Sequence, residues 1–280
     1  MQQLHRTRQP LHFQTGEETK GEASLRGLRG ASGGLDGRVH LGQRQARVID
    51  ERLASFREYD AARAARKHYA NAEADAVSVV DEILRTGGKA EKVKGDLSAP
   101  TGPHELAKKV RSIIGGRLDI LVANAGIANA ATIEDTTVED FDALFAVNVR
   151  APFFLVQQLL PVMCEGSSVV LLSSLAGRAA VGTLSAYAAT KGAIDTLVKH
   201  FASTLGAKGI RVNAIAPGVV PTDMSSFAKT DEGREFTLGM QALKRMATPS
   251  DIADPVLFLG SDASRWITGE TLYVDGGSKL

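Results

Sequence analysis

The chain has 280 residues, a formal net charge of +1 and a pI near 7.9. This length suits one large α/β domain, and the near-neutral charge excludes the basic surface of a typical nucleic-acid-binding protein. No uninterrupted run of about 18 apolar residues is present, so we expect a soluble protein with a small-molecule ligand.

The first quarter of the chain is rich in arginine and poor in apolar runs. Residues 1–34 lack the apolar core of a secretory signal, and we expect a disordered extension there. The stretch GASGGLDG at 30–37 is similar to a phosphate-binding loop, but it precedes its only candidate strand, RVHL at 38–41. An aspartate before its last glycine would also repel a phosphate, so a flexible loop is the favoured interpretation.

From residue 68 onward, helical periods alternate with short apolar runs. The pattern predicts helices over 72–86, 103–114, 138–163, 185–207 and 250–260, and strands over 89–95, 118–126, 167–174, 210–218 and 270–274. Such an alternation with short loops predicts a parallel sheet covered on both faces. The expected fold class is α/β, a Rossmann-type doubly wound sheet in a single domain.

Two side chains of the predicted helix 185–207 form a pattern with chemical use. Tyr187 and Lys191 are four residues apart and therefore share one helix face. A phenol is a poor acid or base near neutral pH, and an adjacent ammonium lowers its pKa by stabilising the phenolate. Taken alone, the pair is explained more simply as an ordinary helix surface.

Other polar or small residues stand where predicted strands end, at the edge where doubly wound folds place ligands. Ser174 ends the strand 167–174, and its hydroxyl is placed to hold the same oxygen as Tyr187. The NAG sequence at 124–126 would let the backbone approach a flat ligand. Asn148 interrupts a long helix with a residue that tolerates kinks, and a solvated helix residue is the alternative.

With these motifs in order, residues 68–280 resemble the short-chain dehydrogenase/reductase family. The matching motifs are GDLS, NAG, VNV, LLSS, YAATK, NAIAPGVVPTDM and ITGETLYVDGG. The sequence is most similar in appearance to the 3-oxoacyl-[acyl-carrier-protein] reductase and sugar dehydrogenase branches. The resemblance implies hydride transfer between a nicotinamide cofactor and a carbonyl or alcohol, as in a carbonyl reductase.

The resemblance also implies a role for each matching residue, and it implies no metal. Tyr187 is the general acid/base and Lys191 orients the ribose and tunes Tyr187. Ser174 positions the reacting oxygen, and Asn148 supports a water relay to Lys191. The implied cofactor-binding positions are Asp96 and Leu97 at the adenine end, Asn124, Ala125 and Gly126 along the cofactor, and Pro217, Gly218, Val220 and Thr222 at the nicotinamide end.

The family's opening strand and T-G-x-x-x-G-x-G loop are not found in that order. LDGRV at 35–39 resembles the start of the first strand, and HYANAEADA at 68–76 resembles the end of the second. The domain is therefore placed at 35–280, with residues 40–67 atypical and the first βα unit disrupted. We hypothesise that a shifted reading frame or a misjudged splice junction produced residues 40–67. Because the phosphate-binding loop is missing, the alternative function is a catalytically inactive binding or oligomeric scaffold protein.

Cofactor choice, assembly and location complete the predictions. The end of the second strand, His68 to Asn71, contains no acidic residue, which favours NADP over NAD. The resemblance implies a homotetramer or homodimer built on helices 138–163 and 185–207, and a substrate-selecting lid over 225–246. Lys244 and Arg245 there either attract a phosphorylated carrier or form a solvated face. We expect a cytoplasmic protein, or a peroxisomal one in a eukaryote, because Ser278-Lys279-Leu280 matches a peroxisomal address.

Overall fold

The computed structural model describes residues 39–40, 65–222 and 224–279. Its helices are α1 Glu73–Arg85, α2 Gly102–Ile113, α3 Val138–Phe145, α4 Ala151–Leu159, α5 Ser185–Leu205, α6 Asp231–Met240 and α7 Pro249–Gly260. Its strands are β1 Val39–His40, β2 Ala65–Tyr69, β3 Ala90–Lys94, β4 Leu118–Ala123, β5 Ile127–Ala128, β6 Met163–Leu172, β7 Arg211–Pro217 and β8 Thr271–Val274. The predicted extension at 1–34, the GASGGLDG stretch and most of the atypical segment 40–67 lie outside the described residues.

The strands form one four-stranded sheet and two smaller pairs. The larger sheet has the order β4-β6-β7-β8, with every pairing parallel, and β2 pairs in parallel with β3. β1 pairs antiparallel with β5. The parallel strands with helices between them confirm the doubly wound α/β class, and β2 confirms that a strand ends near residue 69. Within the described residues, no strand connects the β2–β3 pair to the larger sheet.

Strand β6 carries the centre of the core because both of its faces are buried. Val169 and Leu171 pack on one face against α4 and α5. Val170 and Leu172 pack on the other face against α7. A strand buried on both sides has a continuous apolar sequence without polar alternation, which is why VVLL forms one uninterrupted run.

A third apolar cluster connects the two parallel sheets. It joins Val93 of β3 and Leu106 of α2 to Leu155 and Leu159 of α4, with Leu121 of β4 packed against them. Helices α2 and α4 therefore hold the β2–β3 pair beside the four-stranded sheet, and the carboxyl ends of both sheets belong to one packed body.

Most predicted helices and strands are confirmed within about two residues, but β4 ends at Ala123 instead of residue 126, and the other exceptions have local causes. β6 begins at Met163 instead of residue 167, because Gly166 at φ 87° accommodates an irregularity where β6 pairs with β4. The predicted helix 138–163 is split by a π-helical segment, Ala146–Arg150, and ends in a 3₁₀ turn before β6. Helix α6 and the short strand β5 were not predicted.

The helical stretch Val138–Val162 is long and apolar enough to cross a membrane by length and composition alone, and 44% of its apolar window is buried. Its buried apolar side chains, Leu155, Val156 and Leu159, pack on α2 and on the sheet. A core helix of a globular protein has the same composition, so the stretch is weak evidence for a membrane span.

Candidate active site

The residues predicted from strand ends meet at one edge of the fold. Asn124 to Gly126 follow β4, Ser174 follows β6, and Pro217 ends β7. Since β4, β6 and β7 are adjacent parallel strands, their carboxyl ends lie side by side. Asp96 follows β3 at the corresponding end of the β2–β3 pair. The structure therefore brings these predicted positions to the edge where such folds bind ligands.

Ser174 and Tyr187 form the centre of the site. Ser174 caps the 3₁₀ turn Leu175–Gly177, where its Oγ accepts a hydrogen bond from the N–H of Ala176 at 3.2 Å. Tyr187 lies in the first turn of α5 with only 7% of its surface exposed, and its hydroxyl is near enough to the Ser174 side chain to interact with it. Burial raises the pKa of Tyr187 to about 12, while the nearby Ser174 side chain acts in the opposite direction.

Lys191 lies beside this pair, one helical turn after Tyr187. It is 2% exposed, and its Nζ donates to the carbonyl oxygen of Leu172 at 2.8 Å and lies 5.5 Å from the centre of the Tyr187 ring. Burial lowers the pKa of Lys191 to about 8, while the nearby carboxylate of Asp195 acts in the opposite direction. The sequence predicted that the pKa of Tyr187 is lowered. This prediction is wrong, because burial raises this pKa by more than the surrounding groups lower it.

Asn148 lies inside the π-helical segment and is 2% exposed. Its Oδ1 accepts from the N–H of Ile127, and its Nδ2 donates to the carbonyl oxygen of Ile127, both at 2.9 Å. Its Nδ2 also donates to Thr190 Oγ1 at 3.1 Å. The predicted interruption of the helix at Asn148 is confirmed, and the alternative of a solvated helix residue is wrong.

Thr190 is a site residue that the sequence reasoning missed. It is fully buried and donates from Oγ1 to the carbonyl oxygen of Tyr187 at 2.6 Å, while it accepts from Asn148. It thereby connects the π-helical segment to the backbone of the tyrosine turn. The available signal was its spacing, since Thr190 is three residues from Tyr187 and so on the same helix face.

The loop after β7 is closely packed at Gly218. The N–H of Gly218 donates to the carbonyl oxygen of Val274 at 3.1 Å, and a side chain there would come within 2.8 Å of Asp275 Cα. Val220 and Thr222 are also buried. Glycine is therefore required at this point for the loop to lie against the end of β8.

At the predicted adenine end, Asp96 is exposed and its Oδ1 accepts from the N–H and Oγ of Ser98, at 2.9 and 2.6 Å. The side chain of Leu97 packs in the core, which leaves its backbone for a cofactor contact. Near the end of β2, the carboxylate of Glu73 is 2.6 Å from Lys92 Nζ and lies close to Tyr69. Residues 69–72, between the end of β2 and Glu73, contain no acidic side chain.

Lys244 and Arg245 are held by contacts within the fold. Lys244 Nζ donates to the carbonyl oxygens of Leu238 and Gln241, and Arg245 forms a two-pronged ion pair with Asp251 at 2.7 and 2.8 Å. Both side chains remain exposed, but their donors are already directed at partners of this chain. Among the described residues, no group of three His, Cys, Asp or Glu side chains has the spacing of a metal site.

Comparison with known proteins gives consistent matches. A family model described as "Enoyl-(Acyl carrier protein) reductase" matches residues 61–279. Versicolorin reductase of Emericella nidulans is 35% identical over 252 residues, covering 86% of this chain and 89% of the relative. Trihydroxynaphthalene reductase of Colletotrichum orbiculare is 34% identical, covering 75% and 79%. A crystal structure of the angucycline C-6 ketoreductase LanV with bound NADP has a TM-score of 0.77 and 36% identity, covering 84% and 91%.

The coverage of these matches bears on the atypical first quarter. Residues 68–280, which carry the motifs, make up about three quarters of the chain, whereas the match to the Emericella protein covers 86% of it. The similarity therefore extends into the segment before residue 68, further than the motifs alone indicated.

Proposed function

The chain belongs to the short-chain dehydrogenase/reductase family of NAD(P)-dependent oxidoreductases, and from this premise we propose an NADPH-dependent ketoreductase. The observation that carries the proposal is the buried Tyr187 hydroxyl near Ser174, with Lys191 beside it at the carboxyl edge of the sheet. A phenol of raised pKa keeps its proton until an oxygen with developing negative charge needs it. That property suits reduction of a carbonyl.

The residues present fit a nicotinamide cofactor. Lys191 has three N–H donors, of which Leu172 takes one, so donors remain for the hydroxyls of a ribose. Asn124 to Gly126 and the loop after β7 would line the cofactor, which supplies a hydride to the carbonyl carbon when bound. Ser174 would hold the carbonyl oxygen, and Tyr187 would transfer its proton to that oxygen. The ammonium of Lys191 stabilises the phenolate left on Tyr187.

NADPH is the proposed cofactor because no carboxylate stands at the end of β2. An acidic residue there accepts the ribose hydroxyls of NAD and would repel the extra phosphate of NADP. The nearest acid, Glu73, is already paired with Lys92. The NADP bound in the related LanV structure agrees with this choice.

For the substrate we propose a flat cyclic ketone next to an aromatic ring. One relative is named for a naphthalene with three hydroxyl groups, and another for reducing a ketone at C-6 of an angucycline. In this chain, the segment 225–246 exposes Phe227, Phe236 and Leu243, whose apolar surfaces suit a flat ring. Lys244 and Arg245 have partners within the fold, which argues against recognition of a phosphorylated carrier by these two residues.

The test is NADPH oxidation with 2-tetralone, a cyclic ketone whose ring is fused to a benzene ring, against a 3-oxoacyl thioester of similar mass. We expect turnover with the ketone, and we expect Tyr187→Phe to lower kcat by about 10²- to 10⁴-fold because the proton donor is lost. The matched control is Tyr273→Phe, which removes a hydroxyl from a tyrosine of β8 and keeps its ring. Equal activity of Tyr187→Phe and the parent would refute the assignment of Tyr187.

We also propose a homo-oligomer in the cytoplasm. Val138, Phe141 and Phe153 are exposed on the helical stretch predicted to form a subunit interface, and exposed large apolar side chains are common on contact surfaces. Ser278 is buried and Lys279 is hydrogen-bonded to Met240, which supports retention of the tail in the fold over its use as a peroxisomal address. Sedimentation of the purified protein and imaging of an amino-terminal fluorescent fusion test these two points.

A further inference from the structure

Arg178 lies directly after the turn that carries the catalytic serine. Ser174 caps the amino end of the turn Leu175–Gly177, and Arg178 is its first residue beyond the carboxyl end. The N–H of Arg178 donates to the carbonyl oxygen of Leu175 at 3.0 Å. The contacts of the Arg178 side chain are therefore connected, through this short turn, to the backbone of Ser174.

The side chain of Arg178 is held by the last strand and the tail that follows it. Its Nη2 donates to Asp275 Oδ2 at 2.7 Å and to the carbonyl oxygen of Ser278 at 3.1 Å. The guanidinium also lies 4.2 Å from the centre of the Tyr273 ring, within the range of a cation–π contact. The Asp275 side chain is only 5% exposed, so its charge depends on this partner.

Asp275 also folds the tail back on itself. Its Oδ1 accepts from the N–H groups of Gly277 and Ser278 at 3.0 and 3.3 Å. Gly276 and Gly277 have φ values of 64° and 72°, which residues with a side chain rarely adopt. One oxygen of the carboxylate thus accepts from Arg178, and the other accepts from the backbone of the tail.

The folded tail in turn holds the end of the segment 225–246. This segment follows the loop after β7, and its Phe227 and Phe236 side chains are exposed. Three backbone hydrogen bonds join the tail to it, from Leu243 to Gly276 (2.9 Å), from Ala242 to Gly277 (3.1 Å) and from Lys279 to Met240 (3.0 Å). One continuous set of contacts therefore runs from the serine turn through Arg178 and Asp275 to the segment.

We propose that Arg178 is a positioning residue for ketone binding, which fixes the segment 225–246 relative to Ser174 through Asp275 and the tail. The inference rests on the proposed function for its kinetic consequence. In this proposal the ketone binds between the Ser174 turn and the segment 225–246. The Arg178–Asp275 ion pair then sets the distance between these two surfaces. Loss of Arg178 weakens substrate binding more than the proton transfer itself, because Ser174, Tyr187 and Lys191 keep their own contacts.

The experiment compares hydrogen–deuterium exchange of full-length parent, Arg178→Ala and Arg178→Lys. We expect the amides of Ala242 and Leu243 to exchange about tenfold faster in Arg178→Ala, and the lysine variant to recover part of the protection, because a charged hydrogen bond is worth about a factor of ten or more. Amides of β6 and β7 should not change. The matched control is Arg117→Ala, which removes another arginine–aspartate pair at 2.7 Å, at the start of β4.

The kinetic readout separates positioning from a general loss of structure. We expect Arg178→Ala to raise the KM of the ketone about threefold to tenfold with kcat within about twofold, since a partly exposed ion pair is screened by water. Unchanged exchange at Ala242 and Leu243 in folded Arg178→Ala would overturn the inference. If that variant does not fold, Asp275→Asn replaces it, because the amide keeps the acceptor oxygen but loses the charge. Should the parent reduce no ketone, the proposed function fails while the exchange experiment still decides the role of Arg178.

Discussion

At the residue scale, burial acts on the two titratable groups of the site in opposite directions. It raises the pKa of Tyr187 to about 12 and lowers that of Lys191 to about 8, since burial disfavours the charged form of each. Tyr187 therefore stays protonated near neutral pH, ready to act as an acid. Lys191 is the group whose charge changes within an accessible pH range.

This difference predicts the pH profile of ketone reduction. We expect kcat/KM to be level below about pH 8 and to decline above it, because Lys191 loses its proton there while Tyr187 keeps its own. The measurement is initial rates with NADPH from about pH 6 to about pH 10. In Lys191→Arg the decline should move to higher pH, whatever the absolute rate, because a guanidinium does not titrate in this range. A parent profile that stays level to the upper limit contradicts the assignment.

The same burial predicts that Lys191 reduces stability near neutral pH. The folded-state pKa near 8 lies below the ordinary value of 10.5, so the unfolded chain binds more protons between these values and stability rises with pH across that window. Lys191→Met should raise the free energy of unfolding at pH 7 by about 1–2 kcal/mol, after the loss of the hydrogen bond to Leu172 is deducted. Denaturant titration at pH 7 and near pH 10 checks this, because the gain should shrink at the higher pH. A less stable variant at pH 7 would show that the Leu172 contact outweighs the cost of burial.

At the scale of elements, the π-helical segment shows where sequence patterns stop being informative. The extra residue in that turn lets Asn148 reach both Ile127 and Thr190, and so joins β5 to α5. An asparagine in a long helix indicates a possible kink, but its partners come from residues far along the chain. The pattern therefore predicted the interruption and not the contacts.

Asn148→Ala should consequently affect two elements at once. The substitution removes the hydrogen bonds that Asn148 forms with the backbone of Ile127 and with the Thr190 hydroxyl. A buried polar group that loses its hydrogen-bond partner costs about 1–3 kcal/mol of stability. We expect a lower free energy of unfolding together with a fall in kcat, measured by denaturant titration and NADPH oxidation. Lys108→Ala, an exposed position on α2 outside the proposed interface, is the control and should match the parent. Full activity in a destabilised Asn148→Ala would confine Asn148 to a structural role.

Helices and strands with strong periodicity were predicted well because local spacing determines them. The termini of α5 and β7, for example, agree within two residues with the predicted 185–207 and 210–218. Helix α6 was missed since its apolar positions are few, although Thr230 accepts from the N–H of Gly233 and so gives a capping signal. The direction of the Tyr187 pKa could not be predicted either, because burial of α5 depends on packing against the sheet.

At the scale of the whole molecule, the candidate cofactor site spans two sheets held together by the cluster of Val93, Leu106 and Leu155. A ligand that contacts Asp96 beside β3 and Ser174 beside β6 joins the ends of both. Binding to the folded state alone raises its stability by mass action, by about 2.7 kcal/mol at a ligand concentration of 100 times Kd.

NADPH should therefore raise the Tm of the full chain more than NADH does, because no carboxylate at the end of β2 opposes the extra phosphate. Thermal unfolding with increasing concentrations of each cofactor measures this directly. Tyr187→Phe should keep the NADPH shift while it loses turnover, which separates cofactor binding from proton transfer. The same titration tests whether the chain binds NADPH with its atypical segment before β2, which lies outside the described residues. A folded chain with no Tm shift would lack a working phosphate site, and the scaffold alternative would then replace the reductase.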